Sequence, residues 1–275
     1  MIKFALRVAV LGLLLAGPAT ALPVGVKPSG PGTYVVFNGV DSSISVPSAP
    51  AISLSSSGYT VAVWVRPDSL TFGKTEGSLA SQQYVHWLGK GEKGDQEWTF
   101  RMYSQTSPGP RQNRISFYVF SPQGGLGCGS YFQDSITPGD WMLVTGVMDP
   151  ATHEVSIYKN GILRHSDSYA SLATTPQGGA APLRIGSKDL VSYFKGAIGP
   201  IWIWNRPLLS REVLGMSDWG IVPANGLVLH FGMDEGSGDT IHDSVGGRTG
   251  SLSNASWGKG GGPVDLSTGR SGGGC

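Results

Sequence analysis

The sequence predicts an all-β protein, built as a two-sheet antiparallel sandwich or jelly roll. Of its 275 residues, 42 are Gly and 18 are Pro while only 14% are charged, a composition that favours short strands and turns over helices. Strand patterns follow one another along most of the chain, with almost no helical pattern between them. Because parallel strands need helical crossovers, this order indicates antiparallel pairing.

The clearest strand pattern is Tyr59–Pro67, which reads YTVAVWVRP. Val61 and Val63 fall on one side of an extended strand, and Ala62 and Trp64 fall on the other. Aromatic and β-branched residues dominate the segment, as is typical of strands with neighbours on both sides. We therefore expect a central strand of a packed sheet here.

The same alternation, bounded by Gly, Pro, Asn and Asp, predicts the remaining strands. In chain order they cover residues 34–38, 43–46, 85–90, 97–103, 114–120, 141–148, 153–159, 162–165, 182–187, 197–204 and 226–232. One short helix is expected at residues 210–216, where Ser210 can cap the N-terminus and Glu212 lies in the first turn.

Residues 1–21 are expected to be a cleaved signal peptide. Lys3 and Arg7 accompany an apolar run, and small residues precede a cleavage point after Ala21. The protein is therefore expected to be secreted or extracytoplasmic, with no membrane insertion after cleavage. Residues 22–32, rich in Pro and Gly, are expected to be a linker.

Charge and cysteine content limit the possible partners. The formal net charge is +1 and Lys and Arg form no long run, which argues against nucleic acid as a partner. The two cysteines, Cys128 and Cys275, have no zinc-binding spacing. An oxidising compartment permits a disulfide between them, and two free thiols near solvent are an equally compatible interpretation.

Six blocks between residues 37 and 213 stand in a recognisable order. They are FNGVDSSISVP (37–47), YTVAVWVRPDSL (59–70), DWMLVTGVMD (140–149), SIYKNGIL (156–163), PLRIGS (182–187) and GAIGPIWIWNRPLLSREV (196–213). Together they resemble the laminin G-like domain of the concanavalin A-like lectin/glucanase superfamily. The resemblance implies a jelly roll of two curved antiparallel sheets and an extracellular binding or adhesion module.

Residues 226–257 resemble the opening segment of that family, although they stand near the end of this chain. Either they begin an unfinished second repeat, or the domain is permuted and its first strand comes last. Only Gly-rich sequence follows, which favours permutation. We expect one domain over residues 33–257, with 226–257 supplying the permuted terminal strand, and a disordered tail at 258–275.

No catalytic residue is predicted. Glucanases of the superfamily carry E-x-D-x-E on one strand, which places two carboxyl groups on the same face. Here Glu92, Asp95 and Glu97 are spaced three and two apart and are interrupted by Gly94, so they do not share a strand face. The protein is therefore expected not to be an enzyme.

A structural calcium ion is expected near the turns of the terminal strands. Asp41, Asp234 and Asp243 supply hard oxygen donors in Gly-containing turns, although their order does not match an EF-hand loop. The resemblance implies the same placement, because family members often hold calcium near their N-G-x-D turn. Solvated turn carboxylates are the alternative interpretation of these residues.

Aromatic residues near loops are the predicted carbohydrate-binding residues, since sugar rings stack on exposed aromatic faces. Trp98, Tyr131 and Trp219 are the candidates, whereas Trp64 and Trp141 are assigned to the core. The expected function is a secreted, non-catalytic recognition module that binds a glycan or an extracellular protein. A cell-surface assembly protein is the alternative, and a polysaccharide-active enzyme is less favoured.

Overall fold

The computed structural model describes residues 32–53, 57–77, 83–121, 124–170 and 176–261. Within them the chain forms sixteen strands, one α-helix and one short 3-10 helix. The predicted signal peptide, its cleavage point at Ala21 and Cys275 lie outside the described residues. No helix in the described part of the chain is long and apolar enough to cross a membrane.

The strands alternate with turns throughout the described chain. In order they are β1 Thr33–Asn38, β2 Ser43–Val46, β3 Tyr59–Pro67, β4 Tyr84–Glu92, β5 Asp95–Tyr103, β6 Ile115–Ser121, β7 Gly124–Phe132, β8 Met142–Asp149, β9 Glu154–Lys159, β10 Ile162–Ser168, β11 Leu183–Ile185, β12 Lys195–Trp204, β13 Leu227–Phe231, β14 Thr240–His242, β15 Thr249–Ser253 and β16 Ser256–Lys259. The 3-10 helix is Pro50–Ile52 and the α-helix, α1, is Ser210–Trp219.

Two antiparallel sheets form the sandwich, as the sequence predicted. The first sheet has the order β10-β9-β8-β3-β12-β1-β16, and β13 also pairs with β12. The second sheet has the order β14-β15-β2-β11-β4-β5-β6-β7. Strand β3 lies between β8 and β12, which confirms the central strand predicted at Tyr59–Pro67.

The main core fills the space between the sheets. Val61 and Val63 of β3 belong to the same buried cluster as Phe100 and Phe117 of the second sheet. Ala62, between those valines, and Trp64, after them, point to the other face of the first sheet and join a second buried cluster. The alternation of β3 thus separates two apolar layers, one on each side of the strand.

Helix α1 packs on the outer face of the first sheet. Val213 and Met216 of the helix share a buried cluster with Trp204. The helix is three residues longer than predicted, and Ser210 is its first helical residue rather than its N-cap. Glu212 accepts a hydrogen bond from the backbone N–H of Leu209 at 2.9 Å instead.

The C-terminal segment contributes to both sheets. Strand β13 pairs with β12, and Leu229 and Phe231 lie in the main core. The same segment also supplies β14 and β15 to the second sheet and β16 to the edge of β1. Strand β16 ends at Lys259, so the first two residues of the predicted disordered tail at 258–275 are part of a strand.

Candidate functional site

An open groove lies on the outer face of the second sheet. Its volume is about 620 Å³. It is lined by Glu76, His86, Glu92, Lys93, Gln96, Arg184, Asp189, Leu190 and Val191. Strands β4, β5 and β11 and the loop at residues 186–194, here called the 186–194 loop, therefore form its walls.

Strand alternation places the polar side chains on this face. Leu183 and Ile185 of β11 point into the main core, so Arg184 between them points outward. On β4, Val85 lies in the main core and the adjacent His86 faces the groove. The groove is thus the polar side of strands whose other side holds the sandwich together.

His86 is the centre of the groove's hydrogen-bond network. Its Nδ1 lies 2.6 Å from Asp189 Oδ2 and 3.1 Å from Glu76 Oε2. Its Nε2 lies 2.8 Å from Nε of Arg101, which donates to it. A guanidinium can only donate, so Nε2 carries the lone pair and the proton lies on Nδ1. His86 therefore links Arg101 on one side to the two carboxylates on the other.

Lys188 extends the network beneath the groove. This lysine is 1% exposed, and its Nζ donates to Asp189 Oδ1 at 2.6 Å and to Gln96 Oε1 at 2.9 Å. Gly89 makes this arrangement possible, because a Cβ at that position would lie 2.6 Å from Cδ of Lys188. A glycine inside β4 thus lets a buried ammonium cross the strand.

The charges of this network affect one another's protonation. Burial acts to raise the pKa of Asp189, but the hydrogen bond from His86 and the ammonium of Lys188 outweigh it. The net pKa of Asp189 is therefore well below its ordinary value. Burial lowers the pKa of Lys188, and the neighbouring Asp189 carboxylate partly opposes that shift.

Glu76, His86 and Asp189 are the one group of three metal-capable side chains gathered within 4.8 Å in the described chain. They do not fit a resident metal ion. A metal at His86 Nδ1 would need that proton to move to Nε2, where it would face the N–H of Arg101. Calcium also prefers six to eight oxygen ligands, and this group offers two carboxylates already bound to cationic and neutral donors.

The residues predicted for calcium are not brought together into such a group. Asp243 has a buried carboxylate that accepts from the backbone N–H of His230 at 3.0 Å and from Arg248 at 2.5 Å. Asp41 is exposed and accepts from the Asn38 amide at 2.8 Å, and Asp234 is exposed. A calcium ion at Asp243 would have to displace Arg248, and calcium binding by these residues stays a prediction.

The structure corrects one of the three predicted carbohydrate-binding residues. Trp98 is 0% exposed and packs in the main core, so it offers no face to a sugar. Tyr131 is half-buried, and its ring already contacts the guanidinium of Arg114 at 3.7 Å and the ring of His165 at 5.1 Å. Trp219 lies in α1, and its side chain is outside the described part of the structure.

Sequence reasoning missed a second buried charge pair. Glu97 was predicted as the first residue of a strand with no partner for its carboxylate, but it lies inside β5 and forms an ion pair with Lys90, both side chains being 0% exposed. Nζ of Lys90 also donates to the carbonyl oxygen of Gly179 at 2.8 Å. The available signal was cross-strand spacing, because Lys90 and Glu97 stand on either side of a tight β4–β5 turn.

Cys128 is a buried thiol in β7 and is not near solvent. Burial raises its pKa to about 11, so the thiol stays protonated at neutral pH. The predicted alternative of a disulfide with Cys275 involves a residue outside the described chain.

Comparison with solved structures supports the fold. A Bacteroides ovatus protein described as a candidate carbohydrate-binding protein aligns with 88% of this chain at 16% identity and a TM-score of 0.60. This chain spans 62% of that protein's length. A heptameric SAP-like pentraxin from Limulus polyphemus aligns over 86% of this chain and 96% of its own, at 13% identity and a TM-score of 0.54.

No curated protein matches the chain. A laminin G-like family model does match it, over residues 38–214, which is more than half of the sequence. The matched residues include β2 to β12 and the last residue of β1, and these strands belong to both sheets of the sandwich. The chain therefore belongs to the concanavalin A-like lectin/glucanases superfamily.

Proposed function

We propose that the protein is a secreted, non-catalytic recognition module that binds carbohydrate in the groove of the second sheet. The groove itself carries the proposal, because it is open, has a volume of about 620 Å³ and is lined by side chains that fix one another. Small-molecule sites are typically concave and pre-formed, with similar volumes. The description of the Bacteroides ovatus neighbour favours the same ligand class.

Several polar groups in the groove have hydrogen-bonding capacity left for a ligand. Oε1 of Gln96 is occupied by Lys188, which leaves its amide nitrogen free to donate. Lys93 is exposed and forms no ion pair or hydrogen bond with the described residues. Glu92 is exposed and meets Arg184 only at 3.5 Å. Sugar hydroxyls both donate and accept, so a mixed set of this kind suits a saccharide.

The lowered pKa of Asp189 argues against its use as a general acid in hydrolysis. A glycosidase needs one carboxyl group that is protonated near neutral pH to protonate the leaving oxygen. Asp189 has a lowered pKa and already accepts from His86 and Lys188, so it is a poor general acid. Asp189 is therefore proposed as part of the binding site and not as a catalytic group.

The remaining parts of the proposal have their own tests. Export should yield a mature protein that begins at Leu22, which N-terminal sequencing would establish. Tyr131 stays a second proposed contact, and a sugar there would have to displace Arg114 or His165. If the partner is an extracellular protein, or if the chain has a cell-surface assembly role, added polysaccharide should not compete with that partner for binding.

The deciding experiment is affinity electrophoresis through gels that contain laminarin, xylan, arabinan or polygalacturonate. Wild-type protein should be retarded by at least one gel. The double variant Glu92→Ala/Lys93→Ala should bind that polysaccharide at least about tenfold more weakly, because two polar contacts are lost while both residues are exposed in the free protein.

The matched control is Glu154→Ala/Arg211→Ala, which removes the same charges from exposed positions on the first-sheet side. It should leave the retardation unchanged. Equal retardation of the groove variant and wild type would contradict the proposed site, and free migration of wild type in every gel would contradict the proposed function.

A further inference from the structure

Leu190, in the 186–194 loop, has a backbone conformation that leucine rarely adopts. Its φ is 57°, in the left-handed region. The other non-glycine residues with positive φ in the described chain are three Asn, one His and Met233. Asn and His tolerate this region, and Met233 is held by burial in the core. Leu190 is 47% exposed, so core packing does not account for its conformation.

The neighbouring residues hold this conformation from both sides. The N–H of Leu190 donates to Ser187 Oγ at 3.0 Å, and its carbonyl accepts from Tyr193 at 3.0 Å. The side chains of Ser187, Lys188 and Ser192 are buried. The polar residues of the loop therefore point inward and anchor it, while the apolar residues at its tip point outward.

Leu190 and Val191 are both exposed, at 47% and 57%, and both line the groove. Among the nine lining residues, none is Trp, Tyr or Phe. Backbone strain at a residue that the fold does not need to bury is typical of a functional contact. The loop thus presents two rigid aliphatic side chains beside a polar surface.

We propose that Leu190 and Val191 form the apolar half of the binding site and contact the C–H face of a pyranose ring. The polar side chains of the groove then meet the hydroxyls at the ring's edge. This inference rests on the proposed function and adds a specificity element to it. The ligand class is a pyranoside with an unsubstituted C–H face, as in the β-linked chains of laminarin and xylan.

The test is Leu190→Gly, measured by thermal unfolding and by affinity electrophoresis in laminarin and xylan gels. Glycine adopts the left-handed region without strain, so the melting temperature should rise by about 2 °C. Retardation should weaken about tenfold, because the leucine contact and the rigidity of the tip are lost. A gain in stability with a loss of binding is the expected signature.

Leu163→Gly is the matched control, since Leu163 is also 47% exposed and lies in β10 without a positive φ. It should lower the melting temperature and leave the retardation unchanged. Val191→Thr keeps the shape of the tip but replaces one methyl group by a hydroxyl group. It should weaken retardation without changing stability.

If Leu190→Gly and Val191→Thr are both retarded as strongly as wild type, this inference is overturned and the proposed function stands. The inference is also overturned if wild type self-associates and Leu190→Gly abolishes this self-association while retardation is unchanged. The tip would then be a contact with a second copy of the chain. If neither polysaccharide retards wild type while arabinan, a furanoside polymer, does, the pyranoside assignment fails alone. If only polygalacturonate retards wild type, the assignment to β-linked chains fails alone. Retardation by no gel removes the proposed function and this inference together.

Discussion

Two polar networks involve strand β4, and they differ in what they leave exposed. Lys90 and Glu97 form a completely enclosed pair. Their other hydrogen bonds join Lys90 to a backbone carbonyl and Glu97 to a buried side chain. The network of His86, Asp189 and Lys188 is nearly as buried, yet it forms the floor of an open groove. The enclosed pair can serve only the fold, whereas the groove network also fixes groups that a ligand can reach.

Removing one partner of the enclosed pair should have the largest effect on stability. Lys90→Met leaves the carboxylate of Glu97 buried without its cation, and such losses cost about 3–5 kcal/mol. Denaturant unfolding of the variant measures this cost. Lys90→Met/Glu97→Met should recover most of it, because an apolar pair leaves no uncompensated charge. A cost below about 1 kcal/mol for the single variant would show that the pair is not enclosed in solution.

Asp189→Asn should have an intermediate effect on stability and should also affect the groove. The amide keeps the size of the side chain but loses the charge that bonds to Lys188, at a cost of about 1–3 kcal/mol. Polysaccharide retardation should fall as well, because the 186–194 loop loses an anchor. Asp239→Asn, at an exposed turn, should change neither quantity. Unchanged retardation would separate the buried network from binding.

The smallest effect concerns pH. The folded pKa of Asp189 lies below its unfolded value, so the stability it contributes is fully present above the unfolded pKa of about 3.9 and is lost as pH falls toward the folded pKa. The difference in unfolding free energy between wild type and Asp189→Asn should therefore shrink as pH falls below about pH 4. A difference that grows in acid would contradict the assigned hydrogen bonds.

Sequence reasoning succeeded where one face of a strand is apolar and the ends are marked by turn residues. Strand β3 and the hairpin of β8 and β9 are of this type, since buried valines and isoleucines alternate along them. Strand β7 was missed because its sequence, GGLGCGSYF, has few side chains to alternate. Strand β7 is extended because it pairs with β6, and this pairing is not visible in the local strand propensity of its sequence.

The candidate site could not be predicted because its members are distant in sequence. Glu76, His86 and Asp189 meet only after β11 has paired with β4 and the 186–194 loop has folded back. The aromatic prediction failed at Trp98 because this residue is the second of the predicted strand 97–103 and looked close to a loop. In the structure it is the fourth residue of β5 and packs in the core. A usable signal was the polar run Ser187-Lys188-Asp189, which begins at the last residue of the strand predicted at 182–187.

We propose that the glycan binds in the outward groove of the second sheet and not at an aromatic residue elsewhere, such as Tyr131. Amide NMR spectra of isotope-labelled protein, titrated with laminarihexaose and with xylohexaose, test it most directly. We predict that the largest shifts occur at Lys93, Gln96 and Arg184 and at the tip residues Leu190 and Val191. Shifts concentrated around Tyr131, with the groove signals unmoved, would contradict the account.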